Sequence, residues 1–382
     1  MHDWLVANLP SGWGTPGFKK PEEPAEKVAF ARQWQRRLFE GGWAGLHWPR
    51  EYGGRGASPI EQFIFAEEYT ALGAPHMIDI GVGPGLVGPT LIHHGTEAQK
   101  QRFLRRILTG DEVWCQGFSE PNAGSDLAAC RTRAELRGDT FHVTGQKIWT
   151  SYARFADWCI LVTRTDTQAP KHKGLTFLLV DMKTPGITIR PLVEMTGVAW
   201  FNEVFFDDVQ VPAANMIGRM NDGWSITIST LAHERGGSAP HARLTGELRD
   251  MIAMARRQTD VGGGPATADP ILRQRLAQAW IEVEVVRLIA YKQVGELMRT
   301  GHPGPEGSYL KVLWSEADMR MKEIGIALQG PYADVERGDP RAIDAGRWQY
   351  EYLWSRAAGI YAGTSEVQRN IISQRVLGLP RG

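Results

Sequence analysis

The sequence predicts an α+β multidomain protein, with an N-terminal helical domain, a central antiparallel β-barrel or sandwich, and a C-terminal four-helix bundle. Three observations predict it. Apolar residues recur at helical spacing over roughly the first 110 positions, fall into short β-branched or aromatic runs from 113 to 220, and return to helical spacing thereafter. The short runs are separated by turn residues and not by helices, which argues against a parallel nucleotide-binding sheet. With 382 residues, the chain exceeds a typical single domain and can bury more than one core. The expected domain limits are 1–112, 113–220 and 221–382.

Val28, Phe30, Ala31, Trp34 and Leu38 give a helix from Pro24 to about Glu40, stopped by Gly41-Gly42. Residues 52–58 are a glycine-rich loop. Pro59 and Ile60 then open a second helix through Phe63, Phe65, Ala66 and Tyr69, proline being well suited to a first turn. Residues 86–93 and 99–108 read as two more helices. Strands are expected at 141–144, 158–163, 175–180, 187–189 and 203–206, between turns such as Arg137-Gly-Asp and Thr184-Pro-Gly. After Asn221-Asp-Gly223 come four long helical segments, 224–258, 270–300, 307–329 and 341–358, and a shorter one at 364–376. Residues 262–269 and 330–340 connect them. Gly81-Val-Gly-Pro-Gly85 and Gly262-Gly-Gly264 both read as loops, because neither follows a strand within a βαβ unit.

Composition narrows the function. Lys and Arg number 43 and so do Asp and Glu, so no charge excess favours nucleic acid or a membrane surface. No segment approaches 18 uncharged apolar residues, and the N-terminus lacks a basic stretch followed by a long apolar run. Cys115, Cys130 and Cys159 are too few and too scattered for a disulfide framework or a metal knuckle. A protein of the reducing cytoplasm is expected, with no nucleic-acid or membrane partner.

The chemistry is expected around Trp114 to Ser151. Pro121-Asn-Ala-Gly-Ser-Asp126 is a turn whose residues tolerate unusual backbone angles and leave N–H groups free, with Ser119 just before it. Trp149 stands beside two hydroxyl residues, Thr150 and Ser151, and a hairpin brings this cluster to the first one. An aromatic wall rimmed by donors suits an isoalloxazine ring.

Phe118-Ser-Glu-Pro-Asn-Ala-Gly-Ser-Asp126, Gly145-Gln-Lys-Ile-Trp-Thr-Ser151 and Tyr361-Ala-Gly-Thr-Ser-Glu-Val-Gln-Arg369 together resemble the acyl-CoA dehydrogenase family in order and separation. The resemblance covers nearly the whole chain and implies that family's fold, with FAD as cofactor. It assigns Gln116, Phe118, Ser119, Trp149, Thr150 and Ser151 to the ring, through backbone groups and small hydroxyls. Gly124 and Ser125 would line the same crevice, Ser125 also meeting the pantetheine arm, while Thr364 and Glu366 open a helix whose N–H groups favour a phosphate. Ordinary helix capping explains the last two residues equally well. The family has a further helix before the position of Met1; residues 3–8 correspond to its last turns.

Such an enzyme takes a proton from the carbon next to a thioester and a hydride from the one beyond. In the best-known branch the carboxylate base directly precedes Gly363-Thr364, where this chain has Ala362. A second branch, similar to isovaleryl- and long-chain acyl-CoA dehydrogenases, carries the base before an arginine on the first bundle helix. Glu234 before Arg235 matches that pattern. An arbitrary Glu-Arg pair on a helix is most often a solvated ion pair, but here the flanking match and the small Ala362 agree. The resemblance therefore implies Glu234 as base, flavin N5 as hydride acceptor, and the Ala362 N–H with a ribityl hydroxyl as donors to the thioester oxygen, with Arg235, Tyr361 and Ala362 on the substrate. Residues 327–332 depart from the family, whose paired glycines and glutamine there reach a neighbouring subunit's FAD, and neither Arg256 nor Arg257 is placed on the pyrophosphate.

The implied partners are an acyl-CoA substrate, an electron-transfer flavoprotein and further subunits in a homo-oligomer, dimer or tetramer. Two alternatives stay open: an acyl-CoA oxidase that passes electrons to oxygen, and a non-catalytic partner subunit of a heteromeric dehydrogenase. The substrate's acyl chain, straight, branched or ring-bearing, is also open, because one methylene shifts discrimination by only about 1–3 kcal/mol.

Overall fold

A computed structural model describes residues 1–15, 17–75, 80–234, 240–258, 265–301, 304–305 and 307–380. Helices α1 (His2–Asn8), α2 (Pro24–Glu40), α3 (Pro59–Ala71), α4 (Gly88–His94) and α5 (Glu97–Thr109) precede strands β1 (Trp114–Gly117), β2 (Arg133–Arg137), β3 (Thr140–Ser151), β4 (Trp158–Arg164), β5 (Leu175–Asp181), β6 (Ile187–Leu192), β7 (Phe201–Pro212) and β8 (Met216–Ile217). Helices α6 (Gly223–Glu234), α7 (Pro240–Arg257), α8 (Pro270–Thr300), α9 (Gly307–Ala327), α10 (Arg347–Ser355) and α11 (Ser365–Ile371) complete the chain.

The chain divides into two compact units. One comprises Met1–Ser58 and Gly73–Gly237, the other Pro59–Leu72 and Ser238–Gly382. Helix α3 therefore belongs with the C-terminal helices although it lies early in the sequence.

In the first unit, α2 buries Val28, Ala31, Trp34 and Leu38 along one stripe, as their spacing predicts, together with Gln35, while Phe30 is half-buried. A capping box fixes the start of α5: Thr96 Oγ1 accepts from the Gln99 N–H while Gln99 reaches back to the Thr96 N–H. Gly83 to Gly85, expected as part of a loop, join Leu86 and Val87, expected to be helical, in a π-helical turn leading into α4. Pro84 suits a first helical turn, and Gly88 lets the Trp48 indole lie against the helix, where an added Cβ would meet it at 1.8 Å.

The eight strands form one sheet in the order β6-β7-β3-β2-β4-β5-β8, with β1 pairing β4 off this path. The expected antiparallel character holds along most of it, but β1 runs parallel to β4 and Arg133 of β2 makes a single parallel pairing with Arg164. A clamp explains the first: the Val113 N–H donates to the Asp157 carboxylate and the Asp157 N–H donates back to Val113 O, so β1 and β4 leave the same point in the same direction. Phe141, Val143, Leu161, Leu178, Val180, Val204 and Val209 make a wholly buried core.

The segment expected as one helix from 224 to 258 is two, α6 and α7, one in each unit. Pro240 stands at the first position of α7, where proline's fixed φ suits a helix start, and residues 235–239 lie outside the described residues. In the second unit α7, α8 and α9 bury Leu248, Met251, Met254, Val283, Met321 and Ile324 with Trp348 of α10. The segment 341–358 is shorter than expected as an α-helix, because Asp344, Ala345 and Gly346 adopt positive φ and delay α10 to residue 347. The connection at 330–340 is held by Gln349, whose Nε2 donates to Tyr332 O and Val335 O. Gly262-Gly-Gly264 lies outside the described residues. No described helix is long and apolar enough to cross a membrane, and the described residues contain no acidic, His and Cys group fit for a metal ion.

Candidate active site

The first unit brings together the loop after β1 and the second half of β3. Strand β3 runs on from the expected 141–144 through Ser151, and its pairing with β7 shifts register twice, between Val143 and Gly145, where β7 carries the extra residue, and between Lys147 and Thr150, where β3 does. Gly145 is required at the first, since a Cβ would sit 2.6 Å from Thr132 Cα. At the second, Trp149 takes a left-handed φ of 61°. This costs a non-glycine residue about 1–2 kcal/mol. The result is an indole 54% exposed, steadied edge-to-face by Phe201 at 5.8 Å.

The same stretch of β3 also carries a buried ion pair. Lys147 has no exposed surface, and its Nζ donates to Phe118 O and to Glu120 Oε1, both at 2.9 Å. The Glu120 carboxylate also accepts from the Arg131 N–H at 2.6 Å and the Thr132 N–H at 2.8 Å. Burial alone would raise the Glu120 carboxyl; the Lys147 charge and these donors outweigh it and hold the group below its usual range. With Ile148 N–H donating to Ser119 O at 2.9 Å, this ties Phe118-Ser119-Glu120 to β3. The signal in the sequence was a lysine and a glutamate inside otherwise small, polar motifs.

Gln116 and Ser119 are half-buried, Phe118 is buried, and Gly124 and Ser125 are exposed past a tight turn in which Glu120 and Ala123 exchange backbone hydrogen bonds. Ser151 is half-buried two residues beyond Trp149. Thr150 differs from expectation. Its side chain is wholly buried opposite Asn202, whose Nδ2 donates to Thr150 O at 3.0 Å, and its hydroxyl has no partner among the described residues. The register shift between Lys147 and Thr150 turns residue 150 inward, where strict alternation from Phe141 and Val143 would have turned it out, so any part it plays in binding falls to its backbone. An exposed indole beside Ser151, with Gln116 and Ser119 half-buried on the segment that Lys147 and Ile148 tie to β3, supplies residue types suited to a planar ligand with several acceptors.

Glu234 is the last residue of α6, and its side chain, like Arg235 as a whole, lies outside the described residues. The C-terminal block is in the second unit. Tyr361 is 41% exposed, Ala362 has φ 54° and Gly363 φ 86°. Thr364 Oγ1 caps α11 by accepting from the Val367 N–H at 3.2 Å. Glu366 is exposed, its carboxyl lowered by its own backbone N–H and the Thr364 hydroxyl. Gln329 is buried, with Nε2 donating to Gly325 O and Oε1 accepting from Gln349. Arg257 pairs with Asp344 at 3.2 Å, and Arg256 is exposed.

Residues 17–111, 115–209 and 221–377 match, in order, the N-terminal, middle and C-terminal domains of acyl-CoA dehydrogenase. The acyl-CoA dehydrogenase IpdE1 of Mycobacterium tuberculosis is 40% identical over all of this chain and 96% of its own length. The structure described as the Tcur3481-Tcur3483 steroid ACAD is 30% identical with a TM-score of 0.82, covering 95% of this chain and 99% of that one. The ChsE4-ChsE5 complex from Mycobacterium tuberculosis gives 31% and 0.82, covering 96% and 99%. Matched over its whole architecture and in all three domains, this chain belongs to the acyl-CoA dehydrogenase family and is an acyl-CoA dehydrogenase.

Proposed function

We propose that the enzyme holds FAD on the Trp149 surface and converts an acyl-CoA thioester to its trans-2-enoyl-CoA, the electrons passing on to an electron-transfer flavoprotein. The observation that carries this reading is the bulge that strains Trp149 outward beside Ser151 while Lys147, from the same bulge, pins the Ser119 loop. That donor set fits a flavin: a ring face against the indole, with Gln116, Ser119, Ser151 and the Thr150 backbone at its edges. FAD bound there supplies the hydride acceptor.

The chain's own residues do the rest. Glu234 takes the α-proton. The Ala362 N–H polarises the thioester oxygen, a donor of this kind being worth on the order of 3 kcal/mol in a water-excluded site. Gly124 and Ser125 serve FAD and the pantetheine arm, Arg235 and Tyr361 the acyl-CoA, and Thr364 and Glu366 the cofactor end of α11. Three free, buried cysteines accord with a cytoplasmic protein.

For the acyl chain we favour a ring-bearing, steroid-like substrate, on the strength of the steroid ACAD relative. A heteromeric assembly is the second reading beside a homo-oligomer. It draws on the paired chains named in the solved relatives and on Gln329, turned inward with both ends of its amide engaged.

The test is anaerobic. The protein purified alone is titrated with butyryl-, octanoyl- and isovaleryl-CoA and the CoA thioester of a steroid side-chain acid. Bleaching of bound flavin, greatest with the ring-bearing thioester, is expected, and Glu234→Gln should slow it by roughly 10²–10⁴-fold with FAD retained. Equal bleaching in both proteins would remove Glu234 from its role. Protein that binds FAD only when expressed with a second, related chain would establish the heteromer.

A further inference from the structure

We infer that Gln368 is a positioning residue that aims the Ala362 N–H at the thioester oxygen; the inference rests on the reading of Ala362 as that oxygen's donor. Gln368 lies on α11 with no exposed surface, and its Nε2 donates to Ala362 O at 2.8 Å. Ala362 holds a left-handed φ of 54°, a conformation unfavourable for alanine, and the strained residue persists only where its surroundings over-determine it. The Gln368 amide is the group that grips it. By anchoring the peptide that follows Ala362, the grip favours the left-handed φ/ψ pair over its alternatives, and with that pair kept the N–H keeps its direction; this N–H donates to nothing among the described residues. Gly363 completes the arrangement. Its φ is 86°, and a Cβ there would stand 2.5 Å from Gln368 Nε2, so the amide passes through the space a side chain would take.

A purely packing role would be better served by an apolar side chain of the same size. Gln368 Oε1 is buried without a partner, and such a group costs stability. The amide is retained at a position where it weakens the fold and orders one backbone carbonyl.

The test uses the FAD-loaded enzyme with Gln368→Met, which keeps the volume and removes the donor. FAD content and the Kd for acyl-CoA should stay within about two-fold, whereas anaerobic bleaching should slow by about 10–100-fold, part of the loss expected for one oxyanion donor. The loss should shrink for thioesters with a more acidic α-proton. In the Glu234→Gln background, where turnover stops, the carbonyl stretch of a bound ¹³C=O-labelled thioester should move back toward its value in water. Should Gln368→Met not fold, Gln368→Glu carries the test: a protonated carboxyl can donate to Ala362 O and a carboxylate cannot, so its rate relative to wild type should rise as pH falls. An unchanged carbonyl stretch in Gln368→Met, or a relative rate of Gln368→Glu flat with pH, overturns the assignment. A wild-type protein whose bound thioester shows no carbonyl shift removes the Ala362 donor and this inference together.

Discussion

Lys147 and Glu120 show what a single residue contributes here. Removing one partner of a buried pair strands the other, so Lys147→Met should cost roughly 3–5 kcal/mol in urea unfolding, and the double variant with Glu120→Gln should recover part of it. The sign with pH follows from the depressed Glu120 carboxyl. Its stabilisation is full above the unfolded value near 4.5 and is lost as pH falls through the lower folded value, so the Lys147→Met variant should show a flatter acid limb than wild type. Measuring unfolding free energy between pH 3 and 6, as the relevant window, checks both. Glu120 and Lys147 both stand inside the two sequence motifs, where nothing local gives them a role. The pair's importance comes from burial, which depends on two bulges that no local pattern announces. Thr150 makes the same point in reverse: the motif gave its identity, and only the register of β3 showed its hydroxyl inside.

At the level of elements, helices with a long apolar stripe were legible. The limits of α2 follow from Pro24, five buried positions and Gly41. What local pattern could not supply was direction and continuity. The parallel course of β1 depends on Asp157, 44 positions away from Val113, and the division of residues 224–258 depends on each half joining a different unit. The helical glycines before α5 give a paired test. Gly88→Ala drives a methyl into the Trp48 indole and should destabilise by about 1–3 kcal/mol, whereas Gly85, with nothing within 4 Å of an added Cβ, should accept alanine neutrally or with a gain of up to about 1 kcal/mol. Urea midpoints of the two variants decide it. A loss for Gly85→Ala equal to that for Gly88→Ala would show that the indole contact is not the cause.

For the whole molecule, α8 presents two kinds of surface. Leu276, Ala279, Val283, Val286 and Ala290 are buried, while Ile281, Val285 and Leu288, four and three residues apart, are 55%, 40% and 57% exposed. An apolar stripe of this kind is a natural subunit contact. If the proposed oligomer uses it, Leu288→Glu should lower the assembly mass seen by light scattering while leaving the helical circular dichroism unchanged. The three-domain architecture was readable from periodicity, but the allocation of α3 was not, because its partners are remote in sequence. Glu67 accepts from Tyr291 and pairs with His241 Nε2 at 2.8 Å, and Phe63 stacks on His241 at 5.1 Å.

That allocation sets a timetable. At roughly 5–20 residues per second, a ribosome that has made Glu67 takes on the order of 10–40 s to reach Tyr291, 224 positions later. Throughout that interval the nascent helix carries Phe63, Phe65 and Tyr69 with its docking partners still unmade, which is a span long enough for a chaperone to bind and release it several times.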